Sequence, residues 1–273
     1  MHVLRTFRQV ENGGKCEMMK GMTIELPGAV VDVEKQEWDS AVLKRACARI
    51  VAIRPAQGRP RLSLNGLGDE LKKKNLEYVT VRWPEADRAV IDELDSLAWL
   101  KVDTIVNFEA DLSAVSALAP APEIRVRQAT SADESTIVSL AVASFKRSRF
   151  HADPVLNTEI AARVHEEWAR NSVRGKVANA VLVVEKGGET VGFVTCKLGP
   201  DIGTIELIAV SKRQSGQGLG QALVGAARDW IKAQGKSKIG VRTQIDNQPA
   251  VQLYRKMGFR EQNHTVTYRW SSR

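Results

Sequence analysis

The segment "TIELIAVSKRQSGQGLGQALVGAARDWIKAQG" (residues 204–235) decides the fold. Its first seven residues are mostly apolar and β-branched, which predicts a buried strand over 204–210. From Leu219 onward, apolar side chains recur three and four positions apart, which predicts a helix with one buried face that ends at Gly235. Three glycines at alternate positions therefore lie on the turn from the strand into the helix: Gly216, Gly218 and Gly220.

This glycine-rich turn predicts a phosphate site. Backbone N–H groups and the positive end of the helix dipole converge at a helix N-terminus, and glycines let phosphate oxygens approach closely. The spacing excludes two common nucleotide motifs. A dinucleotide fingerprint needs a third glycine where this chain has Gln221, and a P-loop needs Gly-Lys-Ser/Thr after its last glycine.

Further elements flank this segment on both sides. The stretch "AVLVVEKGGETVGFVTCKL" (180–198) predicts a hairpin, because two β-branched runs enclose Gly187 and Gly188. Downstream, residues 238–244 predict another strand. A short helix then begins near Asn247, and Phe259 begins the last strand.

The N-terminal part predicts a smaller α/β unit. Residues 78–83 alternate like a strand, Pro84 is expected to open a helix, and residues 102–110 form a second strand. The stretch 112–126 is rich in small residues and proline, which predicts a linker. We found no internal repeat. The expected domains are a flexible leader over 1–22, an α/β domain over 23–118 for acceptor binding or for an interface, and a larger domain over 123–273.

Composition and charge restrict the classes of function. Residues 1–120 carry a net charge of −1 and residues 121–273 a net charge of +9, so the second part should attract anions. Aromatic residues make up only 5% of the chain and the basic residues are dispersed, so nucleic acid is not an expected partner. We also expect no membrane span and no bound metal. The three cysteines lie far apart, which predicts free thiols and a cytoplasmic location.

The C-terminal part resembles the GNAT superfamily of N-acetyltransferases. The segments "IELIAV", "QSGQGLG", "QALVGAARDWIKAQG" and "NQPAVQLYRKMGF" follow one another in that family's order and spacing, and the likeness runs from about Glu123 to Arg273. The resemblance implies an α+β fold. It would have the GNAT-type mixed, splayed central sheet with helices on both faces, joined to the smaller N-terminal α/β domain.

The resemblance also implies acetyl-CoA as co-substrate. Its pantetheine arm would pair with the strand at Ile208, Ala209 and Val210, and Asn247 would be a further contact or only the helix N-cap. The pyrophosphate would lie on the backbone of the loop: Ser215, Gly216, Gln217, Gly218, Leu219, Gly220 and Gln221. At Ser215 the family usually has Arg or Gln, so this chain departs from the pattern at that position.

The chemistry implied is attack of a neutral amine on a thioester. Tyr254 matches the family's usual general acid, which protonates the departing CoA thiolate. For the base, Glu206 lies on the same strand face as Ile208 and could act through water. His151, Asp153 or bulk water are the alternatives.

The acceptor implied is a nucleotide-linked amino sugar. Segments at 143–154, 166–175 and 241–254 resemble enzymes that acetylate the 4-amino group of a dTDP-linked 4-amino-4,6-dideoxygalactose. Arg149 would then bind the diphosphate and Phe150 would stack on a base or sugar. Other candidate acceptor contacts are His151, Trp38 and Asp39. The alternatives are another amine acceptor (an antibiotic, a polyamine or a peptide N-terminus) and a non-catalytic CoA-binding regulatory module. A homodimer is an oligomeric state that relatives often adopt.

Overall fold

The computed structural model describes residues 21–59, 61–114, 123–146 and 148–272. Its strands and helices, in chain order, are β1 Gly21–Glu25, β2 Ala29–Lys35, α1 Glu37–Leu43, β3 Cys47–Pro55, α2 Leu67–Lys73, β4 Tyr78–Pro84, α3 Arg88–Ser96, β5 Leu100–Asp111, β6 Ile124–Gln128, α4 Glu134–Ser144, α5 Arg149–Ala152, α6 Thr158–Val173, β7 Ala180–Lys186, β8 Glu189–Leu198, β9 Ile202–Val210, α7 Leu219–Ala233, β10 Lys238–Gln244, α8 Gln248–Lys256 and β11 Arg260–Ser271.

The packing divides the chain into two compact units, and this division differs from the linker-based one. Of the described residues, the first unit contains 123–144 and 166–239, and the second contains the remainder. The boundaries fall within α6 and β10. Of the expected leader, residues 1–20 lie outside the described residues, whereas Gly21 and Met22 belong to β1. Most of the expected linker, 115–122, also lies outside them.

The first unit is built on an antiparallel sheet in the order β9-β8-β7-β6. The predicted hairpin is present, and its turn residues Gly187 and Gly188 have φ values of 60° and 82°, as tight hairpin turns require. Helix α7 packs against all four strands. At Gly203 of β9, a Cβ atom would lie 2.3 Å from the Ile231 side chain, so only glycine permits this close approach of helix and sheet.

The second unit contains a mixed sheet in the order β1-β2-β3-β4-β11-β5-β10. Strands β3 and β4 are parallel, whereas β1–β2, β2–β3, β4–β11 and β11–β5 are antiparallel. One face of this sheet carries a large hydrophobic core, to which α2 and α3 contribute Leu67, Leu71 and Leu94. Strand side chains alternate between the two faces, so the residues between the core positions point to the opposite face.

The structure contains an internal repeat, contrary to the expectation from sequence, and all of it but the first two residues of β10 belongs to the second unit. The segment β4–α3–β5 and the segment β10–α8–β11 each consist of a 7-residue strand, a 9-residue helix and a 12-residue strand. Every boundary of the second segment lies 160 positions after its counterpart in the first. The residue after each helix cap has positive φ, 53° at Ala98 and 91° at Gly258. The two segments are therefore two copies of one structural motif.

The two copies are related by a local two-fold axis. Thr265 pairs with Ile105, its own equivalent in the first copy. On either side, Val266 pairs with Thr104 and His264 pairs with Val106, so each pair is the other with the two copies interchanged. Two backbone hydrogen bonds repeat in the same way. The N–H of Glu85 donates to the His264 carbonyl at 3.0 Å, and the N–H of Ile245 donates to the Thr104 carbonyl at 2.9 Å.

The predicted boundaries differ from the structure mainly around Pro84. That residue ends β4 rather than opening the next helix, which begins at Arg88. The Nε1–H of Trp83 donates to the Asp87 carboxylate at 2.8 Å, so the intervening turn is fixed by a side chain. Among the described residues, none of the helices is both long enough and apolar enough to cross a membrane.

Candidate active site

The glycine loop leads from β9 into α7, as its sequence predicts. Gly216 and Gly218 have φ values of 81° and 79°, and Gly218 is the N-cap of the helix. Gly220 lies inside the first turn of α7 and has no positive φ. A Cβ atom at Gly216 would have no neighbour within 4 Å, so the space above the loop is open. The first N–H groups of the helix, which have no partner within it, can therefore donate to an anion.

A lysine that the sequence analysis missed lies beside this loop. The Nζ of Lys186, the last residue of β7, contacts the side-chain oxygen of Gln217. Ser215 is exposed on the same loop, where the family pattern has a longer polar side chain. The hairpin thus brings a cation to the loop from a position 31 residues earlier in the chain. A lysine at the end of a hairpin strand carries no sequence signal for such a contact.

Strand β9 has an irregularity at Glu206. Thr195 of β8 pairs with Leu207 and the next residue, Cys196, pairs with Ile205, so Glu206 is an additional residue on β9. The hydroxyl of Thr204 donates to the Glu206 carboxylate at 2.8 Å. The bulge therefore leaves Glu206 with no residue paired to it on β8.

The three expected pantetheine residues end the same strand. Ala209 is 6% exposed, whereas Ile208 and Val210 are half-buried on the face that Glu206 shares. Val210 immediately precedes the loop residues that begin at Ser211. Within the first unit, the structure thus brings the expected strand contacts and the glycine loop together in sequence order.

Helix α8 positions Asn247 and Tyr254. Asn247 occupies the N-cap position, but its side chain does not cap the helix; it donates through Nδ2 to the Thr243 hydroxyl at 3.0 Å. Tyr254 is 2% exposed, and its ring lies 5.6 Å from Phe108 and 5.8 Å from Phe259 between ring centroids. Burial raises the pKa of Tyr254 above its usual value, so this phenol keeps its proton at neutral pH.

Four of the expected acceptor residues meet in the second unit. An Arg149 guanidinium nitrogen lies 3.8 Å from an Asp39 carboxylate oxygen, and the guanidinium carbon lies 4.4 Å from the centre of the Phe150 ring. Trp38 packs against the same hydrophobic cluster as Phe150. The sequence predicted these residues separately, and the fold makes them neighbours. Phe150 is only 4% exposed, so its ring belongs to the core and offers no open face for stacking on a base.

His151 lies beside a second histidine that the sequence did not single out. Its Nδ1 lies 2.9 Å from the Ser148 hydroxyl, and its ring centre lies 5.6 Å from that of His165. Burial, and then the nearby Lys146, lower the pKa of His151. His165 is 3% exposed, and burial lowers its pKa to about 4. Its Nδ1 lies 3.0 Å from the Ala161 carbonyl, which can only accept, so Nδ1 carries the proton.

Asp153, the alternative base, is held in a buried ion pair. Its carboxylate is inaccessible and accepts hydrogen bonds from two Arg269 nitrogens at 2.7 and 2.9 Å. The Tyr78 hydroxyl donates to the same carboxylate at 2.9 Å. The Val155 N–H also donates to it at 3.1 Å, and a carboxylate held by four donors away from solvent is suited to holding the segment around α5 against the sheet.

The sequence analysis also missed a group of charged side chains on the sheet of the second unit. Arg82 on β4 donates through Nε to the Thr267 hydroxyl at 3.0 Å, and Thr267 pairs with Asp103 on β5. Burial, together with the positive charges of Arg149 and Arg242, lowers the pKa of Arg82 to about 9. In sequence, Arg82 alternates with valines in "YVTVRW", a pattern that also fits an ordinary solvent-facing strand surface.

The cysteines and potential metal ligands have simple environments. Cys47 and Cys196 are buried free thiols, as predicted for these two, and burial raises the pKa of each to about 12. Cys16 lies outside the described residues. Within the part of the chain that the structure describes, no three His, Cys, Asp or Glu side chains converge in a way that could hold a metal ion.

A buried strand, an open glycine loop and the N-terminus of an amphipathic helix define a class of α+β proteins that bind a phosphorylated ligand on the backbone. Comparison with known proteins identifies the family. The model of the acetyltransferase (GNAT) family matches residues 139–259. The chain is also 31% identical over 171 residues to the dTDP-fucosamine acetyltransferase of Escherichia coli O6:H1, covering 61% of this chain and 70% of that protein. The chain belongs to the GNAT family, and the predicted fold class is confirmed.

Two further proteins are similar to this chain. The spore coat polysaccharide biosynthesis protein SpsD of Bacillus subtilis is 30% identical over 139 residues, which are 50% of this chain and 48% of that protein. The chain thus spans about half the length of this relative. The crystal structure of a GCN5-related N-acetyltransferase from Sphaerobacter thermophilus superposes with a TM-score of 0.61 at 15% identity, covering 89% of this chain and 76% of that chain. At this identity the likeness concerns the fold alone.

Proposed function

We propose that the protein transfers the acetyl group of acetyl-CoA to the amino group of a nucleotide-linked amino sugar of the dTDP-4-amino-4,6-dideoxyhexose type. The observation that carries the proposal is the open glycine loop at the N-terminus of α7, in a chain of the GNAT family. The choice of acceptor follows the names of two relatives, a dTDP-fucosamine acetyltransferase and a spore coat polysaccharide biosynthesis protein.

Acetyl-CoA binds along the end of β9 and the loop in this proposal. Backbone N–H groups of residues 215–221 donate to the pyrophosphate, and the strand at 208–210 pairs with the pantetheine amides, with Asn247 as a further contact. Lys186 supports the proposal because its Nζ reaches Gln217 of the loop. Its charge would supply part of the attraction that the family's longer residue provides at the position of Ser215.

The reaction forms one C–N bond and breaks one C–S bond. The amine nitrogen attacks the thioester carbon, the C–S bond then breaks, and the CoA thiolate takes a proton from the Tyr254 hydroxyl. The acetylated amine loses its extra proton to a base. A buried phenol with a raised pKa suits the role of acid, because it remains protonated throughout the pH range of an assay.

Glu206 is the proposed base, acting through water. It is the bulged residue of β9, it is half-buried, and the Thr204 hydroxyl holds its carboxylate. The alternative is transfer of the proton to bulk water. The substitution Glu206→Gln separates the two. A loss of kcat that is greatest at low pH, where the amine is mostly protonated, supports the carboxylate, whereas an unchanged pH profile supports bulk water.

The test of the function is thiol release from acetyl-CoA with a panel of dTDP- and UDP-linked 4-amino sugars and simple amines. Turnover with one of the nucleotide sugars is the expected result. Turnover with only a polyamine, peptide or antibiotic amine would show that the acceptor is such an amine and not a nucleotide sugar. CoA binding without turnover on any amine would favour the regulatory module.

The role of Tyr254 is tested with a matched pair of tyrosines. Tyr254→Phe should lower kcat by about 10²-fold, since removal of a general acid typically costs that much. Tyr268→Phe is the control, because Tyr268 is equally buried and its hydroxyl donates to Asp95 at 2.6 Å on the core side of the sheet. Undiminished turnover in Tyr254→Phe would remove Tyr254 from the mechanism without affecting the proposed reaction.

A further inference from the structure

The sheet of the second unit has a polar face opposite its hydrophobic core. Its members come from strands β3, β4, β11 and β5 and point away from Val79, Val81 and Val266 of the core. We call these residues the polar face: Arg49, Thr80, Arg82, Asp103, Thr265, Thr267 and Arg269. The strand register places them side by side. Arg49 pairs with Thr80, Thr80 with Arg269, Arg82 with Thr267, and Thr267 with Asp103.

The centre of the polar face holds acceptor atoms that have no partner. Among the residues that the structure describes, the buried side-chain atoms without a hydrogen bond are both carboxylate oxygens of Asp103 and the hydroxyl oxygen of Thr265. A buried carboxylate that forms no hydrogen bond is costly, because it has lost its water without gaining a donor. Two unsatisfied groups on one sheet face, near the local two-fold axis at Thr265, indicate a place where a ligand supplies the donors.

Cations surround Arg82 on the same face. Arg149, Arg242 and Arg49 act on it with positive charge, and Asp103 is the carboxylate that acts on it with negative charge. Arg242 is the counterpart of Arg82 in the second copy of the motif, 160 positions later in the chain, so the fold itself places two arginines about the axis. Arg82, Arg49 and Arg149 are half-buried and Arg242 is exposed, so a bound anion could reach these charges and would offset their mutual repulsion.

We propose that Arg82 and Arg242, with Arg149 beside them, bind the diphosphate of the acceptor, and that Asp103 accepts a hydrogen bond from its sugar. This inference rests on the proposed function, since it assigns the acceptor's anionic part to these side chains. A guanidinium matches two phosphate oxygens with two parallel N–H groups, so two arginines suit a diphosphate better than a single phosphate. The unpartnered oxygens of Asp103 suit a hydroxyl or ammonium group, which are the donors that an amino sugar carries.

The experiment is calorimetric titration of the full chain with dTDP and, separately, with inorganic pyrophosphate. Saturating CoA is present throughout, so that the glycine loop is already occupied. The unsubstituted protein should bind dTDP, and Arg82→Met should weaken that binding by about tenfold or more. Arg242→Met should weaken it similarly, whereas Arg82→Lys should retain part of it.

The matched control is Arg88→Met. Arg88 is an exposed arginine of the same unit, paired with Asp92 on α3, and its loss should leave dTDP affinity within about twofold. Circular dichroism melts verify that each variant folds. Asp103→Asn should leave dTDP affinity within about twofold but raise the KM for the amino sugar about fivefold, because the sugar contact is lost and the diphosphate contact is kept.

Two results would overturn the inference. One is dTDP binding that Arg82→Met and Arg242→Met both leave unchanged. The other is the absence of dTDP binding once CoA occupies the loop. Acetyl-CoA turnover with the dTDP-linked 4-amino sugars, measured on the same samples, distinguishes this failure from failure of the proposed function. Turnover without dTDP binding rejects the anion site and keeps the transferase, whereas Arg82-dependent dTDP binding without any turnover keeps the site and rejects the transferase.

Discussion

The glycine loop of the first unit and the polar face of the second unit offer ligands two different kinds of contact. The loop is exposed, and it would bind through backbone N–H groups whose direction is set by Gly216 and Gly218. The polar face is half-buried, and it would bind through the side chains of Arg82 and Asp103. A backbone site tolerates changes of side chain, whereas a buried side-chain site is also part of the protein's stability. Substitutions of buried side chains in the second unit should therefore affect folding most, and those in the loop should affect binding more than folding.

The largest effect is expected at Asp153, which anchors the segment around α5. Asp153→Ala leaves the Arg269 guanidinium and the Tyr78 hydroxyl buried without their partner, which should lower the free energy of unfolding by about 3–5 kcal/mol. Urea denaturation followed by tryptophan fluorescence measures this. Asp92→Ala, which removes an exposed ion pair with Arg88, should cost no more than about 0.5 kcal/mol. Equal effects in the two variants would contradict the contrast between buried and exposed groups.

The next effect is a dependence of stability on pH through His165. Its pKa is about 4 in the folded protein, because of burial first and the charges of His151 and Arg149 second, against an ordinary value of 6.5. The unfolded chain therefore binds the proton more readily, so stability is fully present above pH 6.5 and falls as the pH drops toward 4. The loss should reach about 3 kcal/mol.

This pH dependence is checked by urea denaturation at pH 7, 6 and 5. In His165→Leu, the free energy of unfolding should fall less steeply between pH 6.5 and pH 5, because the contribution of His165 is removed. His264→Gln is the control, because His264 lies at the surface beside Glu85 and Glu261. A slope that His165→Leu leaves unchanged would assign the acid sensitivity to other groups.

A smaller effect, on binding, is expected at Gly218. Valine at φ 79° is strained by about 1–2 kcal/mol and would displace the first turn of α7, so the KM for acetyl-CoA should rise about tenfold. Gly235→Val is the matched control, since Gly235 has φ 76° at the other end of the same helix. Both variants should lose similar stability in denaturation, but only Gly218→Val should change the KM. A similar KM for acetyl-CoA in both variants would show that the loop does not contribute to cofactor binding.

The smallest effect is expected at Lys186. Lys186→Met should raise the KM for acetyl-CoA by about two- to fourfold at low ionic strength, and the difference should shrink in 0.5 M salt, because an exposed charge is screened. Lys232→Met, on an exposed position of the last turn of α7, should have no effect. An equal KM for acetyl-CoA in Lys186→Met and the unsubstituted protein would show that Lys186 does not compensate for the short side chain of Ser215.

The features that sequence predicted best are those that depend on neighbouring residues. Strand β10 has the predicted bounds, α7 begins at Leu219, and the Gly187–Gly188 turn closes the expected hairpin. Apolar periodicity and glycine conformations are local properties, so they can be recognised without knowledge of the fold. The loop and its strand belong to this local part of the structure, which is why the proposed cofactor side of the site could be predicted from sequence.

The proposed acceptor side depends on contacts between distant parts of the chain. Arg82 and Asp103 are separated by Thr267 from the far end of the sequence, and no local pattern places those three in one row. The internal repeat was missed for the same reason. Only Val81, Arg82 and Val106 recur unchanged 160 positions later, so the two copies share a backbone path and almost no side chains. For Phe150 the difference is of another kind: the sequence predicted an exposed ring, whereas the ring is buried in a hydrophobic cluster.

The repeat in the second unit also determines how the chain can be divided. Strand β11 lies between β4 and β5, and β5 lies between β11 and β10, so each copy places its last strand inside the sheet of the other. Neither half of the polypeptide therefore contains the complete sheet of the second unit, and fragments 1–118 and 123–273 should be insoluble when produced separately. Produced together, the two fragments should associate. The pairing of β11 with β4 and β5 would hold them together without a covalent connection.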